Sequence, residues 1–135
     1  MVHHKLLRLA ATLVFVGEVL LGVAQLLHPG GGNTYEATFA DYAASGNWVV
    51  IHLGQFVGMA VALAGLIVLF FALGVSQGTP RWVGLFGAIA AGMALVLYGV
   101  FEAVDGVALK QAVNAWASAP AAEKAARFAS AEAIR

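Results

Sequence analysis

Cysteine is absent from the 135 residues, which excludes a disulfide framework, a thiolate metal site and a cysteine nucleophile. Charge is scarce as well. Asp, Glu, Lys and Arg make up 10% of the chain, against roughly 25% in an ordinary soluble domain, too few to cover a water-facing surface. The seven basic and seven acidic residues cancel, and no basic patch interleaves with aromatics, so nucleic acid is excluded as a partner. The sequence contains no G-x-S-x-G, P-loop, G-x-G-x-x-G or HExxH. No motif therefore names an enzyme class or a cofactor. The run Gly30-Gly31-Gly32 follows an apolar segment rather than a strand, and reads as a turn.

What the chain does have is hydrocarbon. It is 61% hydrophobic, with a mean hydropathy of +0.87. Crossing a bilayer takes about 20 helical residues, and three segments reach that length: residues 6–27, 48–73 and 82–104. The first resembles a signal peptide in its basic start and its small-x-small run Gly22-Val23-Ala24, but Glu18 interrupts what should be an uncharged middle. Residues 28–47 form a polar loop, broken at His28-Pro29, in which Tyr35–Ala44 is expected as a short surface helix with Phe39 and Tyr42 at the interface. Gly74–Arg81 is a short turn. Residues 107–135 form a helical, partly amphipathic tail, with Ser118 expected as an N-cap and Glu123 and Arg127 as an i,i+4 pair. The expected fold is all-α: a transmembrane helical bundle of three spans in a single membrane domain, followed by a solvated tail.

Lys5, Arg8 and Arg81 flank the spans on one side, whereas the 28–47 loop carries Glu36 and Asp41 and no base. The positive-inside rule then puts the N-terminus in the cytoplasm, and the loop and tail on the outer face of the cell membrane.

This orientation gathers the polar residues in the outer half. At 1.5 Å per residue, His52 lies roughly 6 Å and Gln55 roughly 10 Å below the outer end of the second span. Tyr98, Glu102 and Asp105 share one face of the third span, and Glu18, Gly22 and Gln25 one face of the first. An acid at the bilayer centre costs about 2.5–3.5 kcal/mol, so Glu18 requires a partner or a cavity. Glu18, Gln25, His52, Gln55, Tyr98 and Glu102 are the candidate lining of a pocket for a small ligand, a lipid head group or a proton. A second reading is a membrane metalloprotein or oxidoreductase, with His28, His52, Glu102 and Asp105 as ligands or with haem held between the two histidines. A third is a structural membrane subunit. It would pack through the small residues Gly54, Gly58, Gly84, Ala88 and Gly92, against further copies or within a larger complex.

The runs LLHPGG, FADYAASGNWVVIHLGQFVG and FEAVDGVALKQAVNAWASAPAAEKAARFASAEAIR resemble a family of bacterial multi-pass integral membrane proteins to which no activity is assigned. The likeness is anchored at His52, Gln55, Glu102, Asp105, Gly106 and Lys110. It implies further spans beyond Arg135, so that the chain would be a short version or an N-terminal portion.

Overall fold

The computed structural model describes residues 3–74 and 77–135, and every regular element among them is helical. Three long apolar helices dominate: α1 (His4–Leu27), α3 (Trp48–Ala72) and α4 (Gly78–Ala103). Each is long and apolar enough to cross a membrane. The 24 residues of α1 span about 36 Å at 1.5 Å per residue, more than the roughly 30 Å hydrocarbon core. Phe15, Leu26, Val96, Leu97 and Phe101 stand exposed on the outside of these helices. An apolar exterior of this extent is at home in lipid.

The α1–α3 pair is antiparallel, with the His3 backbone N–H donating to the Ala72 carbonyl at 2.9 Å. The two backbones touch along a seam of small residues. A Cβ at Gly58 would sit 2.9 Å from the Leu21 nitrogen and 3.0 Å from the Gly17 carbonyl, and one at Gly65 would sit 2.8 Å from the Val14 nitrogen. Gly17 abuts Ala62 just as closely. Ala10, Gly17 and Ala24 supply the α1 side. Close backbone approach of this kind maximises dispersion contact where lipid offers no hydrophobic drive. Gly54 lies on the same face, within contact of Ala24. The expected GxxxG is therefore used inside the chain, against α1.

At its far end α3 stops at Gly74, whose φ of +60° is the left-handed conformation that glycine supplies at a helix C-terminus. Residues 75 and 76, in the middle of the expected turn, lie outside the described residues. The third long helix starts earlier than expected, at Gly78, with Pro80 in its first turn, where the ring is tolerated. Against α3 its contacts are aromatic rings set on glycines, Phe70 on Gly84 and Phe56 on Gly99. A Cβ at Gly92 would meet nothing within 4 Å.

The opposite end is capped by three short helices: α2 (Tyr35–Ala44), α5 (Lys110–Ala117) and α6 (Lys124–Glu132). A π-helical segment, Val104–Leu109, joins α4 to α5 without a break. Thr34 caps α2 by accepting from the Ala37 N–H. Phe39, Tyr42, Trp48, Leu109, Val113 and Ala131 form a buried cluster, with Trp116 and Phe128 against it. The partly amphipathic tail folds back over α2, its apolar stripe against Phe39 and its other side exposed. Two expectations are corrected here. Phe39 and Tyr42 are buried rather than interfacial, and Trp48 is fully buried. Ser118 sits at the C-cap of α5, its hydroxyl donating to the Asn114 carbonyl, and does not start a helix. The Glu123–Arg127 pair forms, at 3.2 Å.

Candidate functional site

The first turns of α3 and the π segment meet beneath this cap. Starting a helix at Trp48 places His52 one turn on, and the His52 Nδ1–H donates to the Trp48 carbonyl at 2.9 Å. Trp48 in turn donates its indole N–H to the Asp105 carbonyl at 3.1 Å. A π turn loosens the backbone ladder, and here the Asp105 carbonyl accepts a side-chain donor from the neighbouring helix. The next residue has to be small. A Cβ at Gly106 would lie 2.6 Å from the His52 Cβ and 3.0 Å from its Cγ. Backbone contact at Gly106 thus seats the imidazole, and the Asp105 carboxylate meets its other nitrogen, Oδ2 to Nε2 at 3.0 Å.

That pair has a definite proton inventory. A backbone carbonyl can only accept, so Nδ1 carries hydrogen. Nε2 faces a carboxylate oxygen, which also accepts unless protonated. One further proton must sit between Nε2 and Oδ2, on either partner.

His28 approaches from the end of α1. Its ring centroid lies 5.2 Å from that of His52 and 4.9 Å from that of Trp48. Its Nδ1–H donates to the Pro29 carbonyl at 2.9 Å, which leaves Nε2 with a lone pair. One ligand atom from each of His28, His52 and Asp105 falls within 4.8 Å of the others. Tetrahedral zinc bonds of about 2.0–2.1 Å would hold such atoms roughly 3.3 Å apart, so the cluster contracts by up to about 1.5 Å to share an ion. The two rings pack edge to face on each other, and a haem clamped between them does not fit this arrangement.

Glu102 lies two residues before the π segment and is 6% exposed. Its Oε2 has no hydrogen-bond partner among the described residues. With His52 it lines a cavity of about 230 Å³ between α3 and α4, walled by Val49, Leu53, Phe56, Gly99, Ala103, Gly106 and Val107.

The remaining sequence candidates lie outside the cavity lining. Gln55 is buried against α1 and donates to Gln25 at 3.3 Å, a contact between two helices. Tyr98 is half-buried on α4, one turn below Glu102, with its hydroxyl close to the Glu102 carboxyl, and Glu18 is exposed on the lipid-facing side of α1. Of the six pocket candidates, His52 and Glu102 share the cavity; of the four metal candidates, His28, His52 and Asp105 cluster.

Sequence reasoning gave Lys110 no role. Its ammonium donates to the carbonyls of Tyr42, Ala43 and Ser45 at 2.7, 2.9 and 2.8 Å, closing the C-terminus of α2, where a cation is favoured. Burial pulls the Lys110 pKa below its usual value, yet all three ammonium hydrogens find an acceptor. The available signal was a lone lysine after a long helical stretch, residues 82–109, that contains no other base.

No protein-family model, curated protein or solved structure matches the chain.

Proposed function

We propose that this is an integral membrane protein that binds one divalent transition-metal ion of the zinc class through His28, His52 and Asp105. The observation that carries this reading is the fixing of both imidazoles by backbone carbonyls. His28 gives its Nδ1–H to Pro29 and His52 gives its own to Trp48. Metal-binding histidines are oriented in this way, since the tied nitrogen sets the tautomer and turns the other lone pair toward the ion. Two imidazoles and a carboxylate leave at least one coordination position open, the pattern of sites that bind water or a ligand on the metal. In the metal-free state the proton shared by His52 and Asp105 occupies the same place.

Lys5, Arg8 and Arg81 favour a cytoplasmic location for the uncapped end, so the site would face the outside of the cell membrane. Cysteine labelling of the Ser45→Cys and Gln77→Cys variants from outside tests this orientation. Reaction at position 45 alone supports it, and reaction at position 77 alone inverts it.

Metal binding is tested by stripping purified protein with chelator and titrating Zn²⁺ by calorimetry. Binding of one ion per chain is expected, lost in His28→Ala and Asp105→Asn and retained in a His3→Ala/His4→Ala control. Zinc binding that survives both site substitutions would refute the assignment.

A further inference from the structure

The cavity between α3 and α4 shares only His52 with the metal cluster. Both His52 nitrogens are engaged, to Trp48 and Asp105. The free polar group on its wall is the Glu102 carboxyl, more than nine-tenths buried and with Oε2 unpartnered. A buried carboxyl oxygen without a donor is costly, and such an atom in a membrane span marks a place where something else is expected to bind. All the other walls are apolar. Val49, Leu53 and Val107, at the rim, are themselves among the exposed residues of the lipid-facing surface. The opening is therefore lateral, toward hydrocarbon rather than water. At about 230 Å³ the space falls below the roughly 300 Å³ at which drug-sized sites begin. It suits the end of a molecule whose remainder stays in the bilayer.

We infer that this cavity binds the donor-bearing end of a lipid-soluble molecule, a long-chain alcohol or primary amine, whose hydroxyl or ammonium donates to Glu102 Oε2. Binding follows from complementarity on both counts: the apolar walls take the chain, and the single orphan acceptor takes the single donor. A chain without a donor would leave the oxygen unsatisfied and bind less well. Alcohol and amine share this chemistry, and comparing them reports which charge state of donor the site favours.

The experiment is photolabelling of the full chain in lipid nanodiscs with three diazirine-bearing twelve-carbon probes: the primary alcohol, the primary amine and the alcohol's methyl ether. Labelling is mapped to peptides by mass spectrometry. At least tenfold stronger labelling of α3 and α4 cavity peptides by the alcohol or the amine than by the ether is expected. Glu102→Leu should erase that preference, leaving the three probes equal. Should Glu102→Leu fail to fold, Ala103→Trp provides the second arm. It introduces bulk at an exposed position on the cavity wall and should abolish cavity labelling. Equal labelling by alcohol, amine and ether in the unmodified chain overturns the inference, as does unchanged labelling in Ala103→Trp. Stripping the protein with chelator, which leaves every residue of the cavity lining in place, should keep the preference. Failure of the metal site and failure of this cavity are thereby told apart.

Discussion

The two faces of α3 are packed by different means. Toward α1 the helix presents Gly58, Ala62 and Gly65, and backbone meets backbone along the whole length. Toward α4 it presents Phe56 and Phe70, rings that rest on Gly99 and Gly84 and hold the helices apart between those points. The first face has no room for anything but the partner helix. The second encloses the Glu102 cavity and, at the uncapped end, another of about 490 Å³ lined by Leu66, Phe70, Pro80 and Val83 among others. Small residues close an interface, whereas large ones at separated points prop it open. The seam supplies a rigid frame, and the propped face supplies the site.

Substitutions at matched glycines test this contrast. The largest effect is expected for Gly58→Leu, because the clash is with the backbone of Leu21 and Gly17, which cannot rotate away. The loss should exceed the usual overpacking range of about 1–3 kcal/mol, read as a collapse of thermal stability in detergent. Gly92→Leu, into open space, should leave the melting temperature unchanged. Next in size is Gly106→Ala, which presses on the Cβ of His52. It should cost about 2–3 kcal/mol and weaken zinc binding in titration. Lys110→Met removes three bonds to carbonyls and should cost about 2 kcal/mol. Its readout is faster hydrogen exchange of the α2 amides, with the α1–α3 seam still protected. Gly84→Leu meets only the Phe70 ring, which can turn aside, so about 1 kcal/mol is expected. The smallest change belongs to Gln55→Met, which deletes a single bond to Gln25 worth about 0.6 kcal/mol by membrane precedent.

How far the sequence revealed these features depends on whether height or azimuth was needed. Height along a helix follows from residue number, so the spans, and the gathering of His28, His52, Glu102 and Asp105 at one end, were legible. Azimuth depends on which partner a helix meets. A repeat of four residues drifts about 40° per step on a 3.6-residue helix, so Gly84 and Ala88 still face α3 while Gly92 has turned away from it. A repeat of seven drifts about 20° the other way, so Ala10, Gly17 and Ala24 stay on one face of α1 and form the seam. That longer period was not read. Glu18 had the height for a shared pocket and the wrong azimuth, and it faces outward. The burial of Trp48 and the grip of Lys110 depend on the tail folding back, a long-range event with no local signature. Nor did anything local mark the π turn before the Asp105-Gly106 pair was seen against His52.

The unbroken run of α4, π segment and α5 has a mechanical meaning. Its 40 residues, Gly78–Ala117, extend about 60 Å, twice the thickness of the hydrocarbon core. The upper part is a lever arm continuous with a membrane helix, and Asp105 sits at its fulcrum, in the turn with the loosest backbone. When the bilayer changes thickness, a helix of this kind responds by tilting. A tilt of the lower part by about ten degrees displaces Lys110, about 7.5 Å along the arm from Asp105, by roughly 1.3 Å, at the level where α5 is gripped to α2. A tilt of the membrane part would therefore be felt at the contacts of Lys110 with α2.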